Sequence, residues 1–184
     1  MAKIVFIPFS DAEGNAVEQG KIQQWIDTRG GYSFVCYTGA EIASIKGSGL
    51  FDEIYILAHG SAGASSVSGD AGHSLTYQAL ADRLIASGLS PRYAGCVKIY
   101  ACRSGERSGN ESSFARRFAK YLIKEKKRYL CSVYGYAGDL TSHYVTVQEK
   151  SSGNVTHKKA HKYGLVDGDD ERASSRRKRF YGLV

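Results

Sequence analysis

Asp52-Glu53-Ile54-Tyr55-Ile56-Leu57-Ala58-His59-Gly60 and Val97-Lys98-Ile99-Tyr100-Ala101-Cys102-Arg103-Ser104-Gly105 are the two stretches on which the fold turns. Each carries apolar residues on both faces, as a central strand of a parallel sheet does. Each then ends in a side chain with proton-transfer or nucleophilic chemistry. Between them, Thr76 to Ser87 (TYQALADRLIAS) reads as one amphipathic helix, with Leu80, Leu84 and Ile85 on a shared face and Thr76 placed to cap it. His59 and Cys102 lie 43 residues apart, the length of one strand–helix–strand crossover. The spacing predicts adjacent strands with both side chains at the carboxyl edge of the sheet, where open α/β folds gather function.

The same alternation extends outward. Ile4 to Phe9 and Tyr32 to Thr38 read as strands, with a helix over Val17 to Thr28 between them, carried by Val17, Ile22, Trp25 and Ile26. Glu41 to Lys46 predicts a short helix, and Ser61 to His73 is a loop too polar for the core. Glu111 to Lys124 is a second amphipathic helix with Phe114, Phe118, Leu122 and Ile123 inward. Tyr129 to Tyr136 and Tyr144 to Gln148 add strands. The pattern predicts an α/β fold with three layers: a mostly parallel central sheet with helices on both faces. Residues 1–166 form one domain on this reading. From Asp167 to Val184 the chain is charged and poor in apolar residues, and predicts a mobile tail. Tyr163-Gly164-Leu165-Val166 recurs there as Tyr181-Gly182-Leu183-Val184.

The chain of 184 residues is 42% hydrophobic and 23% charged, the composition of a globular domain with a sizeable core. No apolar run reaches the length of a membrane span. Met1 to Ile7 lacks the parts of a signal peptide, so the expectation is a reducing, cytoplasmic setting, with delivery to another cell only by a signal-less route. Four cysteines without CxxC spacing predict neither a disulfide framework nor a metal site. Cys36, Cys96 and Cys131 read as core or strand residues, and His73, His143, His157 and His161 as surface ones. The net charge of +7 gathers in Lys124 to Arg128, His157 to Lys162 and Arg176 to Arg179. Such runs are solvated faces or sites for a polyanion. No nucleic-acid recognition motif accompanies them, so nucleic acid is not expected as a partner.

The chemistry needs both halves of the pair. A thiol is mostly protonated at neutral pH, and a neighbouring imidazole raises the reactive thiolate fraction. Gly60 removes a Cβ beside the histidine, and the amides of Gly60 and Cys102 are candidate oxyanion donors. Asp11, after the first strand, is the candidate third group orienting His59. Asp139, after the Tyr129–Tyr136 strand, is with Tyr136 the candidate wall of a specificity pocket, where its carboxylate would favour a basic substrate residue.

A hydrophobic strand ending in His-Gly, followed by one ending in Ala-Cys, resembles the caspase-like clan of cysteine peptidases, which includes caspases, gingipains, clostripain and separase. The caspase nucleophile signature is Gln-Ala-Cys-(Arg/Gln/Gly)-Gly, with the histidine about 50 residues upstream. This chain has Tyr100 in place of Gln, and Ser104 moves the glycine to 105, so aspartate specificity does not carry over. The order of elements from Asp52 to Val147 is closer to the autoprocessing cysteine protease domains of large bacterial toxins. That resemblance implies a caspase-like fold, a Cys102–His59 endopeptidase without a required cofactor, and self-cleavage after leucine. It further implies activation by inositol hexakisphosphate in a basic pocket, for which Lys124, Lys126, Lys127, Arg128, Lys158, Lys159 and Lys162 are the candidates. The alternative from the same residues is a non-catalytic protein of this fold that binds a polyanion or a protein partner through its basic surfaces.

Overall fold

The computed structural model describes residues 2–13, 32–49, 52–69, 71–128, 130–149, 153–161 and 171–181. Its centre is a six-stranded sheet. In chain order the sheet strands are β1 (Lys3–Ile7), β2 (Tyr32–Cys36), β3 (Glu53–Leu57), β6 (Cys96–Tyr100), β7 (Ser132–Tyr136) and β11 (Arg177–Phe180). Across the sheet they run β11-β7-β6-β3-β1-β2. Every pair is parallel except β11 with β7. The protein is therefore α/β with a mostly parallel central sheet, as the strand–helix alternation predicts.

Side-chain alternation along the strands explains what covers each face. Ile54 and Ile56, Val97 and Ile99, and Val133 enter one apolar cluster with Leu80, Leu84, Phe114 and Phe118. The last four come from α2 (Tyr77–Ala86) and α3 (Phe114–Lys120), which pack side by side on that face. Both helices start where the sequence places a hydroxyl: Thr76 accepts from the Ala79 amide at 3.2 Å and Ser113 from the Arg116 amide at 3.3 Å. The short α1 (Ala43–Lys46) adds Ile45 to the same cluster. On the other face Tyr100 and Tyr136 form a smaller cluster with Ala173. The helix expected over 17–28 lies outside the described residues.

Beside Tyr55 on that second face, Lys98 is only 2% exposed. Its Nζ lies 2.5 Å from Glu53 Oε1 and 2.9 Å from the Tyr55 hydroxyl, which donates to Glu53 Oε2 at 2.8 Å. At the carboxyl end of β1, Arg83 of α2 grips Glu13 with two bonds of 2.7 Å and donates to the Pro8 carbonyl at 2.7 Å. The guanidinium holds the Glu13 carboxyl down at about 2. This clamp seats α2 against the edge where His59 and Cys102 emerge.

The structure departs from the sequence reading in four places. The polar stretch read as a loop folds into a small antiparallel hairpin of β4 (Ser66–Ser68) and β5 (Ser74–Thr76). The final turn of the second long helix widens into a π turn over Tyr121–Glu125. Residues 144–148 belong to a longer strand, β8 (Asp139–Glu149), which pairs with β9 (Gly153–His161); β9 pairs in turn with β10 (Glu171–Arg172), and the three form a sheet of their own. Finally, the segment read as a mobile tail supplies β10, a 3-10 turn at Ala173–Arg176, and β11. β11 caps the exposed edge of β7, with Arg177 and Arg179 stacked on the Tyr134 ring at 4.7 and 5.7 Å. A basic strand shows no apolar pattern, because aromatic faces and edge hydrogen bonds hold it, not burial. No helix among the described residues is long and apolar enough to cross a membrane.

Candidate active site

The β3–β6 register decides the geometry. Each residue of β3 pairs with the one 43 positions later, from Glu53↔Cys96 to Leu57↔Tyr100. His59 and Cys102 have that same separation, so they leave the sheet level with one another. The ladder continues past the strands, with the Ala58 amide donating to the Tyr100 carbonyl at 3.4 Å. His59 is then fixed from the other side: its amide donates to the Ser68 carbonyl at 2.8 Å and its carbonyl accepts from the Ser68 amide at 3.0 Å. The imidazole-bearing residue is exposed and Cys102 is half-buried. Gly60 is required here, because a Cβ would lie 2.8 Å from the Cys102 carbonyl oxygen and 3.1 Å from Ala101 Cβ. The two strand ends thus touch through their backbones.

The loop after Cys102 is held from beneath. Ser104 is 1% exposed. Its hydroxyl donates to the Ile99 carbonyl at 2.8 Å and accepts from the Tyr136 amide at 3.1 Å. Its carbonyl accepts from the Ala115 amide at 2.9 Å, which joins the loop to α3. Ser104, one of the two departures from the caspase signature, is therefore the internal brace of this turn. Arg103 sits at φ 54°, a left-handed conformation held by its amide bond to the Gly138 carbonyl at 2.9 Å. Glu106 accepts from the Gly138 amide at 2.7 Å and lies 3.4 Å from the Arg103 guanidinium, while its carbonyl accepts from the Gly63 amide at 3.0 Å. Three loops, those after β3, β6 and β7, are tied into one rim. Sequence reading missed Arg103, Ser104, Glu106 and Leu140; a glutamate and a serine in a turn carry no pattern that sets them apart.

The thiol faces the start of β8. The Leu140 amide donates to Cys102 Sγ at 3.2 Å, and Sγ lies 3.6 Å from the Leu140 carbonyl. Burial pushes the Cys102 thiol above its ordinary range, and the Asp139 charge adds to that, against the opposing pull of the Leu140 amide and Arg103. Cys102 is consequently a protonated thiol at neutral pH, and reactivity needs a base. Asp139→Asn removes the charge that disfavours the thiolate and releases Arg103, 3.7 Å away. The expected result is faster alkylation of Cys102 by iodoacetamide at pH 7, with the rate-against-pH curve displaced toward acid. An unmoved curve would show that burial alone sets the thiol.

The other sequence candidates divide. Asp11 opens a 3-10 turn beyond β1 and acts electrostatically on Cys36, at the end of β2. Tyr136 is 3% exposed and packs edge-on against Tyr100 with ring centroids 5.3 Å apart, inside the small cluster below the rim. Asp139 stands at the rim beside Arg103. The basic run does not converge on one point: Lys126 pairs with Asp82 at 2.9 Å, and Arg128 donates to the Lys126 and Leu89 carbonyls, closing the end of the helix. Lys127 is exposed in a left-handed conformation at φ 56°, and Lys124 is exposed on the π turn. Lys158 and Lys159 lie on β9, their side chains outside the described residues, as is Lys162. Cys131 is buried, its thiol pushed up to about 12 by burial, which makes it an inert core residue. No cluster of three or more His, Cys, Asp or Glu among the described residues is placed to hold a metal ion. No protein-family model matches the chain, and no curated protein matches it, so the reading of this rim rests on its own geometry.

Proposed function

We propose that the chain is a cysteine endopeptidase of caspase-like type, with Cys102 as nucleophile and His59 as proton carrier. The observation that carries this reading is the shared 43-residue offset, which brings both residues to one level of the same sheet edge. Sγ attacks the scissile carbonyl carbon while His59 takes the thiol proton. The tetrahedral oxyanion is held by the amides of Gly60 and Cys102. His59 then protonates the departing amine, leaving a thioester. Water attacks that thioester with His59 as base, and the acid product leaves as the thiol is restored. Asp11 as the residue that orients His59, and Asp139 as the one that draws a basic substrate side chain, belong to the same proposal.

Two measurements test it. With peptide substrates and a thiol-directed probe, the wild type is expected to cleave and to be labelled on Cys102, and Cys102→Ala to do neither. Labelling of Cys36 or Cys131 in its place, with no cleavage, overturns the reading. Intact mass tests self-cleavage: loss of a fragment near Leu165 is expected from the wild type with inositol hexakisphosphate and not from Cys102→Ala. An unchanged mass in both removes autoprocessing while leaving cleavage of other proteins in place. One observation favours a non-catalytic binding protein: the thiol is half-buried and covered by Leu140. Salt-sensitive polyanion binding without any proteolysis is the outcome that would select it.

A further inference from the structure

The outer side of α3 carries a groove of about 830 Å³, walled by Tyr77 and Tyr181 and lined by Arg107, Arg116, Lys120 and Lys124. All four of these cations are exposed, and none has a carboxylate partner among the described residues. Arg117, in the same wall, is already paired with Glu111. Arg116, Lys120 and Lys124 recur every four residues, so they form one stripe along α3 and the π turn. Like charges at that spacing repel and weaken the helix that bears them. An anionic ligand relieves the repulsion.

The shape of the stripe selects the ligand. Four helical residues advance about 6 Å, close to the roughly 7 Å between alternate side chains of an extended chain. A line of cations at that interval fits an extended polyanion better than a compact one, which needs charges converging on a point. Glu111 and Glu125 also line the groove; they oppose an unbroken row of phosphates and leave room for a chain whose charges are spaced by neutral residues. The groove begins at Arg107, five residues beyond Cys102 in the loop braced by Ser104 and Glu106. The loop that carries Cys102 therefore also supplies part of the groove lining.

From this we infer that the groove is an exosite for an acidic segment of the protein substrate, an extended stretch with Asp or Glu at alternate positions. The inference rests on the endopeptidase reading for its substrate, but binding is measurable apart from turnover. The experiment uses the full chain carrying Cys102→Ala and a fluorescent ten-residue peptide of alternating Glu and Ser. The same peptide with Gln for Glu, a ten-nucleotide single-stranded DNA and inositol hexakisphosphate serve as competitors.

The expected result is salt-sensitive binding of the Glu peptide, weakened about tenfold by adding Arg116→Glu and Lys120→Glu. Neither DNA nor inositol hexakisphosphate is expected to displace the peptide at equal charge concentration. In otherwise wild-type protein, the same reversal should lower kcat/KM for a substrate bearing the acidic stretch and leave the unextended substrate unchanged. Arg116→Gln with Lys120→Gln, checked by circular dichroism, provides a milder pair if charge reversal disturbs the helix. Equal binding of the Gln and Glu peptides overturns the exosite, as does displacement by DNA or by inositol hexakisphosphate. Groove-dependent binding with no cleavage of any peptide keeps the docking site and removes the peptidase; cleavage indifferent to the groove does the reverse.

Discussion

His59→Ala is expected to lower kcat/KM on a peptide substrate by roughly a thousandfold, while Cys102 remains open to alkylation at high pH. The size follows from the state of the thiol. Burial holds Cys102 above its ordinary range, so little thiolate exists at neutral pH without a proton acceptor. In the proposed mechanism the imidazole would do two jobs, accepting the thiol proton and returning it to the leaving amine, and both would vanish together. The residue is exposed and is anchored through its backbone to Ser68. The substitution should therefore leave thermal unfolding almost unchanged, and a loss of rate cannot be assigned to loss of fold. A variant that keeps more than about a tenth of the wild-type rate would remove His59 from the chemistry.

The second large effect is on stability. Glu53→Gln is expected to destabilise the fold by roughly 3 kcal/mol, because it leaves the Lys98 ammonium buried without its counter-charge. For a chain of this size that lowers the melting temperature by roughly 10 °C. Burial works against the charged form at both residues, yet the bonds from Lys98 and Tyr55 outweigh it at Glu53 and hold that carboxyl below its ordinary range. The stabilisation is thus complete above the carboxylate range and is lost as the pH falls through the lowered value. Replacing the pair together, Glu53→Leu with Lys98→Met, should recover most of the loss, since two buried charges are removed at once. Circular dichroism melts of the three proteins decide it; a double variant as unstable as Glu53→Gln would mean that the pair contributes net stability of its own.

Lys98 also shows where sequence reading stops. In Val97-Lys98-Ile99-Tyr100 the lysine reads as a charge in an otherwise apolar strand, and nothing local names its partner. The partner is Glu53, on the neighbouring strand, and only the β3–β6 register sets them on one face. The C-terminal segment carries the same lesson. Arg177 to Phe180 lacks the apolar run that marks a strand, because its edge position is supported by Tyr134 and by the free edge of β7. Both features are legible only once a second element is in place.

The sheet, the crossover between β3 and β6, and the level pairing of His59 with Cys102 were determined by the sequence itself. Periodicity and spacing act along the chain, and a crossover of fixed length leaves little freedom in register. Gly60 belongs with them, since a residue without a Cβ beside a histidine can be read directly. The tertiary structure alone decided the state of the Cys102 thiol. The cap on Cys102 is a backbone amide of Leu140, 38 residues away, and every residue except proline has such an amide. Ser104 and Glu106 brace the loop through backbone groups in the same way. Bonds to backbone leave no residue-type signal, so the thiol was visible in the sequence and its covering was not.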